Sequence, residues 1–280
     1  MRRNRAGAQI SDGVRNGNFK IGKTLFIALT HIVSPNISQC EVTYRNREPI
    51  DYDRAVKQHE AYCQLLRDCG LDVIELSVNR DYPDSTFLED TAVVVDEIAI
   101  MANLGVASRR GEVNGVEQEL AKYRKIRRIE PPATLDGGDV LKIGRDIFVG
   151  LSPRTNEAGI QSLKRFLAPF GYKIIPVILK DCLHLKSACT TLDKKALLVN
   201  ASWLDLEPFS NFRIIQVPED ESEAANALRV NDTIFMHSGF SKTVQIARAE
   251  GFAVKTTDIS ELLKAEAGMT CSSIIFEHLD

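Results

Sequence analysis

An internal repeat narrows the folds open to this chain more sharply than any other feature. From Asp90 the sequence runs DTAVVVDEIAIMANLGVASR: an apolar run, a tight turn at Asp96–Glu97, a second apolar run, a loop, then a helix beginning near Arg109. From Asp139, DVLKIGRDIFVGLSPR follows the same grammar, with the turn at Gly144–Arg145 and Arg154 opening a helix. His184 to Ser202 repeats it weakly (CTTLDKKALLVNAS), and Asn226 repeats it again (NALRVNDTIFMHSGFSK), with a turn at Asn231–Asp232 and a helix after Ser241. The last copy, TCSSIIFEH, keeps only a closing strand. Copies starting near 90, 139, 187, 226 and 271 are spaced by about 40 to 50 residues. A unit of two strands, a helix and a further strand cannot bury both its faces alone, so stacking about an axis is the natural solution. The period overlaps that of four-stranded WD40 blades, but the helical segments at 154–168 and 241–250 argue against them.

Ahead of the repeats, Thr24–Thr30 (TLFIALT) reads as a buried strand, Asp51–Cys69 as a helix stopped by Gly70, and Leu71–Leu76 as a further strand. No low-complexity linker interrupts 24–280, which predicts one closed α/β domain. Residues 1–23 are basic, rich in Gly and Asn, and lack an apolar secretory core, so they read as a tail. The net charge of −3 carries no basic stripe of the kind nucleic-acid binders use. No stretch has the roughly 18 apolar residues of a membrane span. The six cysteines include no CxxC pair, so no zinc knuckle or redox dithiol is signalled, and reduced thiols in a cytoplasmic setting are expected.

In a ring of modules the unit ends converge on one face, and the residues with chemistry fall at those ends. Asp84, Glu89 and Asp90 lie together in YPDSTFLEDTAVV; read alone they either bind a cation or decorate a solvated loop, and a carboxylate pair suits a planar guanidinium. Arg109 and Arg154 occupy equivalent places in their repeats and together suit a substrate carboxylate. In LDGGD, Gly137 and Gly138 allow a close-packed turn and Asp136 is placed to orient a histidine. Of the five histidines, His184 begins a repeat, His237 follows a strand, His59 sits in a helix and His278 near the end. Cys271 opens the terminal strand, Cys63 and Cys69 read as small helix hydrophobes, and Cys182 and Cys189 flank His184. A Cys, a His and a carboxylate are the ingredients of nucleophilic catalysis.

Taken together, FLED, ASRRGEV, TLDGGDV, VGLSPRTN, LHLKSACT, ALRVN and GMTCSS, in that order over residues 24–280, resemble the dimethylarginine dimethylaminohydrolases. These belong to the guanidine-modifying pentein superfamily, with arginine deiminases and amidinotransferases. The resemblance implies a five-bladed α/β propeller, in agreement with the repeat count. It implies hydrolysis of Nω-methylated arginine to citrulline and an alkylamine through a covalent cysteine thiouronium, without a cofactor. It places the nucleophile at Cys271, the general acid/base at His184 and its orienting acid at Asp136. The guanidinium-binding acids fall on Asp84, Glu89 and Asp90, and the carboxylate-binding arginines on Arg109 and Arg154. The carbonyl that receives the substrate α-amino group falls near Leu29. Glu266 stands where vertebrate members carry Asp, and is expected near the same amino group. The implied partner is a small guanidino amino acid, with a homodimer left open. A thiolate beside an imidazole also binds Zn²⁺ adventitiously, which would inhibit. Deimination of arginine, amidino transfer and a non-catalytic binding role, as in ribosome-binding translation factors of similar fold, are the alternatives. Deiminases are generally longer, with a helical insertion that this length leaves no room for.

Overall fold

The computed structural model describes residues 24–279, so the expected tail at 1–23 lies outside the described residues. Strand β1 (Thr24–His31) leads through a loop to helix α1 (Tyr52–Asp68) and strand β2 (Asp72–Leu76). The Asp51 side chain caps α1 by accepting from the Arg54 N–H, and Gly70 leaves it at φ 83°, as a stop signal there requires. Next come β3 (Ala92–Val94), β4 (Ile98–Met101), α2 (Val113–Leu120) and β5 (Lys125–Arg128). The same order returns in β6 (Val140–Ile143), β7 (Asp146–Leu151), α3 (Glu157–Leu167) and β8 (Lys173–Ile178). A single turn of helix, α4 (Leu185–Ala188), precedes β9 (Cys189–Thr191), β10 (Ala196–Val199) and β11 (Arg213–Gln216). Then follow β12 (Leu228–Val230), β13 (Thr233–His237), α5 (Ser241–Ala249), β14 (Ala253–Thr257), a short α6 (Ser260–Leu263) and β15 (Ile274–Leu279).

These strands make five three-stranded sheets of one topology. In each, the middle strand runs antiparallel to the strand before it and parallel to the strand after the crossover. The first strands begin at 92, 140, 189, 228 and 274, one to three residues inside the repeat starts read from sequence. The last copy is not a fragment. β15 pairs antiparallel with β1, Ile27 opposite Phe276, so the N-terminal strand, helix and strand complete the C-terminal copy. The weak copy lacks a crossover α-helix: only a 3-10 turn at Glu207–Phe209 joins β10 to β11. Two expected helix starts shift. Arg109 lies in a 3-10 segment, Ala107–Glu112, ahead of α2, and Arg154 precedes α3, whose cap is Asn156. An asparagine side chain can accept the Gly159 N–H, whereas an arginine has no acceptor to offer.

Five apolar cores alternate with the five sheets. On β1, Ile27 and Leu29 point toward Met101 of the next sheet, while Ala28 points the other way, toward Phe235, as the period of two dictates. Val93 and Ile100 pack with Val149 and Leu163, Phe148 with Leu197 and Phe209, and Leu198 with Ile234 and Met236. Each core is thus shared by two consecutive sheets. The first strands of all five sheets line one cavity of about 350 Å³, with Glu89, Lys186 and Thr270 on its wall.

Candidate active site

The candidate site is built at the loops that enter the first strands. Two glycines of LDGGD are fixed there by crowding rather than by backbone twist. A Cβ on Gly137 would stand 2.0 Å from the Glu89 carbonyl oxygen. One on Gly138 would stand 2.6 Å from His184 Nδ1 and 2.7 Å from Asp90 Oδ1. With no side chain between them, Asp90 and His184 approach across that backbone, and Asp90 accepts the Gly138 N–H at 3.1 Å.

His184 lies between two carboxylates. Its Nε2 is 3.2 Å from Asp136 Oδ2 and its Nδ1 is 3.8 Å from Asp90 Oδ1. Burial favours the neutral ring, but the Asp90 charge and the Asp136 hydrogen bond outweigh it and lift the imidazolium pKa to about 9. Burial also works against the Asp90 carboxylate, yet the positive fields of His184 and Arg109 hold its pKa down to about 2. Asp136 is fully buried and pinned by the Gly105 N–H at 2.9 Å. A further acid that the sequence reading did not single out, Asp139, accepts the Ser152 hydroxyl at 2.6 Å and the Leu185 N–H at 3.0 Å. It therefore fixes the backbone that carries His184.

Arg109 and Arg154 both arrive here. Arg109 donates through Nη1 to Asp90 at 2.7 Å, through Nε and Nη2 to Glu112, and to the Phe87 carbonyl. Most of its donors are thus engaged by neighbouring acids. Arg154 is freer: Nη1 stands 3.8 Å from Asp136 and Nη2 donates to the Thr43 hydroxyl at 3.2 Å. Asp84 is buried, its pKa raised by that burial against the pull of Arg109, and both of its oxygens receive the Glu41 N–H.

Glu89 links this acid cluster to Cys271. Its carboxylate accepts Lys186 Nζ and the Thr270 hydroxyl, each at 2.6 Å, and its N–H donates to the Cys271 carbonyl at 3.1 Å. Burial raises the Glu89 pKa, and Lys186 and Thr270 oppose that rise. The Cys271 sulfur receives the Gly268 N–H at 3.2 Å and lies 3.9 Å from Asn226 Nδ2. Asn226 in turn accepts the Thr270 N–H at 2.9 Å and so braces the cysteine loop. Burial, then the charges of Glu89 and Asp90, push the Cys271 thiol up to about 12.

Leu29 sits in the middle of β1, fully buried, between Ile74 and Ile274 in the sheet register. An apolar residue in a central strand belongs to the core. Glu266, at φ 58°, accepts the N–H groups of Thr43, Tyr44 and Arg45, so its carboxylate holds the loop that reaches Arg154. Arg45 and Glu266 line a cavity of about 210 Å³ with Cys182, Glu223, Asn226 and Gly268. Cys182 and Cys189 are buried, with thiol pKa values pushed far up by desolvation, and His237 accepts the Ile259 N–H at 3.2 Å. Lys186 lies in LHLKSACT and Asn226 opens the repeat NALRVNDTIF, and the sequence alone gives neither a role. The need of a buried Glu89 for a counter-charge is the signal that points to Lys186.

Structural comparison first places the fold. The chain matches the N-terminal domain of ArgZ, an arginine dihydrolase from Cyanobacteria, with a TM-score of 0.80 at 21% identity over 90% of this chain and 97% of that one. It matches a Pseudomonas aeruginosa dimethylarginine dimethylaminohydrolase, a cysteine-to-serine variant complexed with citrulline, with a TM-score of 0.85 and 32% identity, covering 90% of this chain and all of that one. The shared fold is the α/β fold of the guanidine-modifying enzymes. In sequence, the chain is 36% identical over 253 residues to the N(G),N(G)-dimethylarginine dimethylaminohydrolase of Streptomyces coelicolor, spanning 90% of this chain and 97% of that protein. The family described as N,N dimethylarginine dimethylhydrolase, eukaryotic, matches residues 33–232. The chain belongs to the dimethylarginine dimethylaminohydrolase family.

Proposed function

We propose that this protein hydrolyses Nω-methylated arginine to citrulline and an alkylamine, with Cys271 as the nucleophile. One observation carries the reading: Glu89 joins a buried acid cluster to the cysteine loop, so a cation held by those acids meets the sulfur. The guanidinium of the substrate takes Glu89 and Asp90, with Asp84 beside them, and Arg154 with Arg109 supplies charge for the substrate carboxylate. Glu266 acts through the 43–45 loop it holds. With the cationic substrate bound, the Cys271 thiol gives its proton to solvent; the thiolate adds to the guanidinium carbon, and His184, charged in the resting site, gives its proton to the departing alkylamine as the C–N bond breaks. A thiouronium remains on the sulfur. His184, now neutral, takes a proton from water, the resulting hydroxide adds to the carbon, and the C–S bond breaks as the added hydroxyl loses its proton to solvent, which returns the thiolate and releases citrulline. Asp136 holds the ring in orientation throughout.

The same reading takes residues 24–280 as one catalytic domain and the five sheets as a closed five-bladed propeller. Support for closure comes from cores shared by successive sheets, β15 pairing with β1, and a cavity lined by all five first strands. Relatives support the chemistry: the Pseudomonas aeruginosa structure holds citrulline, and a structure of a histidine-to-glycine variant of dimethylarginine dimethylaminohydrolase holds an adduct with S-methyl-L-thiocitrulline. The test is citrulline release from asymmetric dimethylarginine, monomethylarginine and arginine, with Cys271→Ser as control. Citrulline from the methylated compounds, abolished in the variant, is the expected result. Citrulline from arginine alone would transfer the assignment to deimination, and none from any of the three would overturn the substrate.

A further inference from the structure

A second group of donor side chains meets outside this site, between α1 and the edge strand β2. His59 and Cys63 are four residues apart on α1 and so lie on one face; they are 2% and 1% exposed. Cys63 Sγ is 3.5 Å from His59 Nε2 and 3.8 Å from the Thr30 hydroxyl. β2 lies parallel to β1 with Glu75 beside Thr30, which brings the Glu75 carboxylate to the same spot. One donor atom each from His59, Cys63 and Glu75 lies within 4.8 Å of the others.

We propose that His59, Cys63 and Glu75 form a binding site for a thiophilic divalent transition-metal ion of the zinc class, its fourth position taken by water. Zinc binds imidazole nitrogen, thiolate and carboxylate oxygen at about 2.0 to 2.3 Å in a tetrahedron, which sets donors about 3.3 to 3.7 Å apart. The sulfur–nitrogen separation already falls in that range. Glu75 closes the set by a change of rotamer, and as an exposed residue on an edge strand it is free to make one. The chemistry of the donors agrees. Burial, helped by the nearby His31, lowers the His59 pKa to about 4, so its ring is neutral and can offer a lone pair at pH 7. Burial raises the Cys63 thiol to about 11; the entering ion displaces that proton to solvent, and the thiolate charge is then met by the ion. The other grouping of acids and histidine, Asp90, Asp136 and His184, belongs to the candidate active site.

The test uses the full chain carrying Cys271→Ser, which removes the thiol proposed as the nucleophile. Titrating Co²⁺ without oxygen should give one ion per chain, with the near-ultraviolet sulfur-to-cobalt band and tetrahedral visible bands, both bleached by Zn²⁺. Adding Cys63→Ala should remove the sulfur band. Adding Glu75→Gln, a change at an exposed position, should lower affinity at least about tenfold. Circular dichroism checks that Cys63→Ala remains folded; if it does not, the Glu75→Gln affinity decides. The proposal is overturned by the absence of a sulfur band, by a band that survives Cys63→Ala in folded protein, or by unchanged affinity in Glu75→Gln. Citrulline formation plays no part in this readout, so the outcome is separate from that of the proposed hydrolysis.

Discussion

A free thiol with a pKa of about 12 is a poor nucleophile at neutral pH, and this makes the charge of the substrate part of the reaction. At pH 8 such a thiol is ionised to about one part in 10,000, against about a quarter for an unperturbed thiol near pKa 8.5. The greater basicity of the thiolate recovers a factor of about 40, so a neutral reagent should alkylate Cys271 about 60-fold more slowly than an unperturbed thiol such as that of glutathione. Two of the three largest causes of the rise are the charges of Glu89 and Asp90, which a bound guanidinium or amidinium offsets. Each unit by which the pKa then falls gives tenfold more thiolate, about 1.4 kcal/mol. The assay compares a cationic haloacetamidine with its neutral haloacetamide at Cys271, each normalised to its rate with glutathione, from pH 7 to 9.5. The cationic reagent should gain at least about 100-fold over the neutral one, and Glu89→Gln should shrink that gain while speeding the neutral reagent. Equal normalised rates for the two reagents would refute the reasoning, as would the same ratio in Glu89→Gln.

Gly138→Ala puts a methyl 2.6 Å from His184 Nδ1, and the ring must move; kcat should fall at least about 100-fold with the fold retained by circular dichroism. His184 carries a pKa raised from 6.5 to about 9, so its imidazolium adds stability in full below about pH 6.5 that is lost as pH rises through 9. The Tm difference between the natural chain and His184→Gln should therefore shrink between pH 6.5 and about 9.5; a constant difference would contradict it. Glu266→Gln weakens three charge-assisted bonds to the 43–45 loop, at about 1.5 to 3 kcal/mol for a bond to a charged group. KM should rise several-fold with faster proteolysis at that loop, whereas a contact with substrate alone would raise KM and leave proteolysis unchanged.

The repeat was legible because each copy buries two short apolar strands around a tight turn, and turn chemistry is local: Asn231 and Gly144, at φ 53° and 63°, sit where the sequence puts them. That the first and last segments form one copy was not legible, since pairing Thr24 with Leu279 is a long-range event with no local signal. Cys271, His184 and the acids were found through motifs. Their electrostatics were not, because pKa values depend on which charges meet in space: Asp90 faces both His184 and Arg109, far apart in sequence. Leu29, placed by resemblance, lies in the central strand of its sheet between Ile74 and Ile274, a position that no local motif fixes.

The resting charges make a further point about selectivity. Every acid proposed to take the guanidinium already has a partner: Lys186 on Glu89, Arg109 on Asp90, the Glu41 N–H on Asp84. Buried carboxylates left without such partners would cost several kcal/mol each, so the partners keep the empty site folded. A ligand must then match them in charge and share their acceptors, since a neutral molecule would leave the acids as they were and Cys271 protonated. Lys186 and Arg109 therefore act as internal competitors that set a threshold for entry. Cationic planar groups able to bond Glu89 and Asp90 together pass it; ammonium groups, as single point charges, meet the same acids without the fork geometry that could bridge both. Selection for a guanidino head follows from how the empty site is neutralised, before any contact with the methyl groups is considered.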